Sequence, residues 1–297
     1  MITLGVAAVV LIAAVMLSLA AVVVLSGSTS DEVLEAAQPP TLDSTPTVAA
    51  PAFGLVVPQD AGSITLGDAD FYGWSVLDRA TGRTAGSENA ETERNTTESM
   101  IKPWIVADYL RELSDDKQEP SPEALDELTL VIVDSNDPLA EKYYQLGGAD
   151  EVVERMIRIC DLADVIIEPT LWGNTLMTPM DAVRYGACLA DGRAAGPQWT
   201  NWVLAAMRDV RGSVDDQDSG EVEGGRWGII DGLPDEVARN TSIKNGWTVY
   251  EDGWHVNCLA IHPAWVISVM LRTFGDLADA AADCASVAQA LIVERRP

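Results

Sequence analysis

A serine and a lysine stand three residues apart in the segment TTESMIKPWIVADYL, residues 96 to 110, just ahead of an apolar run. On a helix, positions i and i+3 face the same way, so Ser99 and Lys102 lie side by side in the first turn. The N-terminus of a helix adds positive potential there, which favours a neutral lysine amine and steadies a developing oxyanion. A neutral amine can take the proton of a serine hydroxyl. Ser99 is therefore a candidate nucleophile and Lys102 its base. The same four letters also read as a plain helix start, since ordinary residue usage gives S-x-x-K about once in a chain of this length.

Other chemistries find little support. There is no G-x-S-x-G elbow, no G-x-G-x-x-G and no phosphate-binding loop. The two histidines, His255 and His262, have no metal-like partner set, and the cysteines show no C-x-x-C spacing. No metal or cofactor is expected. The formal net charge of −27 excludes nucleic acid as a partner, because phosphate binding needs a basic face. It also argues against docking on anionic lipid through charge.

The elements that must position Ser99 and Lys102 follow from periodicity and turn signals. FYGWSVLDRATGRTAGSE reads as two strands around a turn, and the quoted segment opens a helix. EALDELTLVIV is helical, and YYQLGGADEVVERMIRICDLAD holds a Gly-Gly break and then an amphipathic helix. In TPMDAVRYGACLADG, Thr178 caps a helix, Pro179 and Asp181 suit its first turn and Gly192 ends it. QWTNWVLAAMRDV continues in helical style, and DDQDSGEVEGGRWG is a loop. TSIKNGW, WHVNCLAI and AWVISVMLRTF are three late strands, before a closing Ala-rich helix. Two early and three late strands make one five-stranded antiparallel sheet with flanking helices. The central helices, about residues 99 to 215, make an all-helical lobe. The fold class is α+β. Pairing Cys160 with Cys188 and Cys258 with Cys284 keeps each disulfide within one half of this fold; four buried free thiols are the alternative.

Three ordered segments now carry a resemblance: SMIK at Ser99 to Lys102, DSNDPLAEKYYQLGG at Asp134 to Gly148, and IKNGW at Ile243 to Trp247. Over about residues 70 to 295 the chain resembles the serine β-lactamase and penicillin-binding (DD-peptidase) superfamily, most of all class A β-lactamase-like hydrolases. That superfamily carries S-x-x-K, S-D-N and K-T-G in this order. The resemblance implies an acyl-enzyme on Ser99 and an oxyanion hole made by the Ser99 N–H with another from the late strand near Thr248. Counting back from Gly147-Gly148 puts Asp134 at the motif serine, Ser135 in the middle and Asn136 at the asparagine. A shift by one residue delivers Ser135 instead, and a simple turn with a helix cap is the third reading. Lys244 would attract a substrate carboxylate, Gly246 would let the backbone approach a ligand, and the Asn245 amide would stand in for the missing threonine. IIEPTLW resembles the loop that supplies a water-activating base, with Glu168 as that base. Trp172 stands where an asparagine is expected, so Glu168 also reads as a solvated loop residue.

Residues 1 to 26 carry no charge and are long enough to span a bilayer. They read as an uncleaved anchor or a removed signal, and no cysteine follows that would carry a lipid. Residues 27 to 67 are rich in Pro, Ser, Thr and Ala and read as a linker, with the β-lactamase-like domain over 68 to 297. The expectation is a single-pass, membrane-anchored serine hydrolase outside the cytoplasm. It would act on a peptidoglycan-like peptide or a β-lactam. The alternative is a degenerate domain of the same fold that binds an envelope protein partner.

Overall fold

The computed structural model describes residues 53–56, 64, 66, 69–219 and 224–294. The predicted membrane helix and most of the predicted linker lie outside them. Among the described residues no helix is long and apolar enough to cross a membrane.

The chain runs β1 (Phe53–Leu55), β2 (Phe71–Asp78), β3 (Thr84–Gly86), β4 (Asn95–Thr96) and then a tight 3-10 turn at Glu98–Ile101. The helices α1 (Lys102–Asp115), α2 (Pro122–Val133), α3 (Asp137–Leu146) and α4 (Asp150–Cys160) follow. Next come β5 (Leu176–Met177), α5 (Pro179–Ala190), α6 (Gly196–Arg208), α7 (Val214–Ser219) and α8 (Asp235–Ala238). The late strands β6 (Ser242–Tyr250), β7 (Gly253–Ile261) and β8 (Trp265–Thr273) lead to α9 (Leu277–Leu291) and β9 (Ile292–Glu294).

The main sheet has the order β3-β2-β8-β7-β6, and all its pairings are antiparallel. β7 and β8 are buried along almost their whole length, which matches their predominantly apolar sequences. A strand with that pattern needs cover on both faces. Successive residues point to opposite faces. Cys258 is bonded to Cys284 of α9, whereas the next residue, Leu259, lies against Gly186 of α5. The two helices thus cover opposite faces of the sheet. The second disulfide, Cys160–Cys188, ties the end of α4 to α5. Both pairings are those the sequence predicts.

α1 is the central helix of the helical region. Its side chains from Lys102 to Asp108 are all buried, including the charged Lys102 and Asp108. Asp108 accepts from Arg155 of α4 (Nε to Oδ1, 2.9 Å) and pairs with Arg111, so its charge is compensated. Pro103 occupies the first turn, where a missing N–H costs nothing. One departure concerns the predicted linker. Phe53–Leu55 falls inside it, yet it forms β1 and pairs with β9 (Leu55 opposite Ile292).

Candidate active site

The turn at Glu98–Ile101 sets Ser99 just ahead of α1, and Lys102 is the first residue of the helix. In a 3-10 turn, residues three apart eclipse, which keeps the two side chains on one side. Glu98, directly before Ser99, has φ of 47°, a left-handed conformation that costs energy in a non-glycine residue. Its buried carboxylate accepts from Thr248 Oγ1 at 2.7 Å and from the Tyr250 hydroxyl at 2.8 Å, and these bonds fix the turn to β6. Burial and then the Glu98 charge push the Tyr250 phenol well above its ordinary pKa, so it stays a donor. Gly246 makes the approach possible. A Cβ there would lie 2.7 Å from the Ser99 nitrogen and 2.6 Å from the Thr97 oxygen.

Two lysines meet at one hydroxyl. Lys102 Nζ and Lys244 Nζ each lie 2.9 Å from Ser135 Oγ, and Ser135 and both lysines are buried. Lys102 also donates to the Ser135 carbonyl and pairs with the Asp137 carboxylate. Lys244 donates to the Gly224 carbonyl at 3.3 Å. Burial, and next the Lys102 charge, hold the Lys244 amine well below the usual lysine range.

The count from the glycine pair is corrected here. Asp134 caps the end of α2, and its carboxylate is held by Arg211 (Nε to Oδ1, 2.5 Å). Ser135 has φ of 57°, and this left-handed residue turns the chain so that its hydroxyl, not the Asp134 carboxylate, reaches the lysines. Asn136 is not turned to the cleft. Its Oδ1 accepts from Leu139 N at 2.9 Å and caps α3. The order at this place is therefore Ser135-Asn136-Asp137, with an aspartate where the superfamily has its asparagine. Asn245 is also corrected. It lies on the opposite face of β6 from Lys244 and Gly246, and its amide donates to the carbonyls of Gly225 and Trp227 (2.9 and 2.7 Å). Glu168 is exposed and is not among the residues lining the cleft.

The cleft itself is about 270 Å³ and is lined by Ser99, Glu98, Thr248 and Trp247 on one side, Asp137 and Glu141 of α3 on another, and Thr170 to Asn174 on the third. Of the sequence candidates, the fold brings Ser99 and Thr248 to this cleft, ties Lys102 to it through Asp137, joins Ser135 and Lys244 to Lys102, and sets Gly246 against the Ser99 backbone. Sequence reasoning missed Glu98, Asp137, Glu141 and the position of Trp172. The Trp172 ring lies over Lys102, with Nζ 5.4 Å from its centroid, and its Nε1 donates to Glu141 at 2.9 Å. Asp137 and Glu141 sit four apart on α3, a spacing visible in the sequence that shows they share a face.

No family model matches the chain. Two mycobacterial proteins named "Putative lipoprotein LppW", from Mycobacterium bovis and Mycobacterium tuberculosis, are each 31% identical to it over 174 residues. The match covers 58% of this chain, and the chain spans about half (52%) of the length of these relatives. Solved structures agree on the fold. A β-lactamase from Xanthomonas campestris superposes with a TM-score of 0.57 at 18% identity, over 74% of this chain and 90% of the other. An ancestral class A β-lactamase of Gram-negative bacteria gives 0.56 at 16% identity, over 74% and 92%. The structure of L2 complexed with relebactam gives 0.57 at 14% identity, over 73% and 88%. The chain has the class A β-lactamase fold.

Proposed function

From that fold, we propose that the protein is an exported serine hydrolase that forms an acyl-enzyme on Ser99 with an amide or β-lactam-like substrate. The observation that carries this reading is the Ser135 hydroxyl held at 2.9 Å from two buried lysine amines, beside the cleft that Ser99 lines. Lys102 faces the Asp137 carboxylate, and burial together with the Lys102 charge favours the neutral form of Lys244. A proton passed from Lys102 through Ser135 to Lys244 frees Lys102 to take the Ser99 proton. Ser99 Oγ then bonds to the substrate carbonyl carbon. The oxyanion rests on the Ser99 N–H and a second N–H of β6 near Thr248. As the carbon–nitrogen bond breaks, Lys244 returns its proton through Ser135 to the leaving nitrogen.

Hydrolysis of the acyl-enzyme is slow in this reading. Glu168 lies outside the cleft lining, and Trp172 covers the ground beside Lys102. A peptide of the peptidoglycan type is the natural substrate class, with β-lactams as slow traps. Two disulfides support folding in an oxidising compartment, and residues 1 to 26 supply the membrane anchor. The test is labelling of the purified full-length chain with a neutral fluorophosphonate and with a fluorescent penicillin, read by intact mass. We expect a single fluorophosphonate adduct that outlasts removal of the probe and is absent in Ser99→Ala. No adduct at saturating fluorophosphonate would overturn the reading.

One observation favours a second reading. The Glu98 carboxylate is bonded to Thr248, close to where the oxyanion would develop, and a negative charge there opposes catalysis. A binding module for an envelope partner would tolerate it. Capture of a partner that Ser99→Ala leaves unaffected, with no adduct on the wild type, would support this instead.

A further inference from the structure

Glu98 is placed in a way that folding alone does not require. Its φ of 47° strains a residue that is not glycine. Its side chain is buried, and among the described residues no lysine or arginine lies within ion-pair reach of it. A buried carboxylate without a cation beside it is unfavourable, and an amide of the same shape would be less so. What Glu98 has instead is one hydroxyl of β6 on each oxygen: Thr248 Oγ1 donates to Oε2 at 2.7 Å and the Tyr250 hydroxyl to Oε1 at 2.8 Å.

Thr248 and Tyr250 share a face of β6 with Lys244 and Gly246, because side chains alternate along a strand. Lys244 reaches Ser135 Oγ, Gly246 lets the backbone of the Ser99 turn lie against the strand, and Thr248 and Tyr250 grip the residue before Ser99. The Tyr250 ring rests on the His255 ring, with centroids 4.6 Å apart, and His255 Nδ1 lies 2.9 Å from Thr96 Oγ1, three residues ahead of Ser99. The strand that carries one lysine of the site thus also sets where the nucleophile stands. The Glu98 charge has the opposite effect on rate, since it lies beside the developing oxyanion. Grip and charge belong to one side chain, but different variants remove them.

We infer that Glu98 is a positioning residue for the nucleophile: its two hydroxyl bonds to β6 align Ser99 with the Lys102–Ser135–Lys244 group, while its charge slows the step that this grip aligns. The inference rests on the proposed serine chemistry.

The experiment measures the maximal rate and half-saturating concentration of fluorophosphonate labelling for the full-length chain and three variants, with urea unfolding of each. In the labelling step Ser99 Oγ bonds to phosphorus, fluoride leaves, and the serine proton passes to the base. Glu98→Gln keeps both bonds, because its amide oxygen accepts from one hydroxyl and its amide nitrogen donates to the other. With the charge gone, its maximal rate should rise about tenfold. Tyr250→Phe loosens the grip and leaves the charge, so its maximal rate should fall about tenfold with half-saturation unchanged. Glu98→Ala loses both bonds and should fall about a hundredfold. A purely structural role predicts instead that rates follow stability, with Glu98→Gln no faster than the wild type. Glu98→Gln no faster than the wild type, or Tyr250→Phe as fast as it, would overturn the inference and leave the hydrolase reading standing. No adduct on the wild type would overturn both. Should Glu98→Ala fail to fold, the other two variants decide the matter.

Discussion

Asp137 pairs with Lys102 and its charge reaches Lys244 as well. Asp137 favours the protonated form of Lys244 across the site, so its removal lets that amine lose its proton at lower pH. In the proposed mechanism labelling of Ser99 needs a neutral amine, so its rate should rise with pH through a transition below the ordinary lysine range. In Asp137→Asn the transition should move to lower pH, and labelling near neutrality should speed up several-fold; a pH–rate profile checks this. Lys244 also leaves a trace in stability. Its folded-state pKa is depressed, so between that value and the ordinary one the unfolded chain binds more protons and stability rises with pH. Lys244→Met lacks this slope. The excess stability of Lys244→Met near pH 7 should therefore narrow towards pH 10, by up to about 1.4 kcal/mol per pH unit. Urea unfolding at the two pH values reads it. Ser99, Lys102 and Lys244 were legible because each sits at a fixed place in a regular element. Ser135 against Asp134 was not, since one left-handed residue decides which side chain faces inward, and local letters allow either. Asp137 and Glu141 were hidden for another reason: a carboxylate on an exposed helix turn looks like solvation until a cleft is found beside it.

At the scale of elements, the site depends on how closely β6 lies against the turn before α1. Gly246→Ala would drive a methyl into backbone atoms on both sides of Ser99, with nothing flexible to yield. We expect about 1–3 kcal/mol of destabilisation and loss of Ser99 labelling, measured by urea unfolding and intact mass. The elements themselves were largely readable. β7 and β8 announce themselves by stretches rich in β-branched and apolar residues, and α5 by its Thr178 cap, whose Oγ1 accepts from Asp181 N at 3.1 Å. What periodicity could not show was the 3-10 turn at Glu98, because its strain is imposed by β6 rather than by its own residues. The same holds for Asn245. Its role is set by the carbonyls of a loop twenty residues earlier.

For the whole molecule, the disulfides join parts that the sheet alone does not bind. Cys160–Cys188 closes a separation of 28 residues between α4 and α5, next to the packing of the helical region on the sheet. Replacing both cysteines by alanine should cost about 3–4 kcal/mol in urea unfolding, with the spectrum of the folded state retained. That cost tests the compartment as well, since a reducing one would impose it on every copy.

The pairing of β1 with β9 bears on where a self-sufficient protein begins. Composition draws the border near residue 68, but Phe53–Leu55 closes the open side of β9 at the end of the chain. A version starting at residue 68 would bare that strand as a template for another molecule. It should form concentration-dependent aggregates in light scattering, whereas one starting at residue 50 should remain monodisperse. Material for crystals or binding assays is best begun ahead of Phe53.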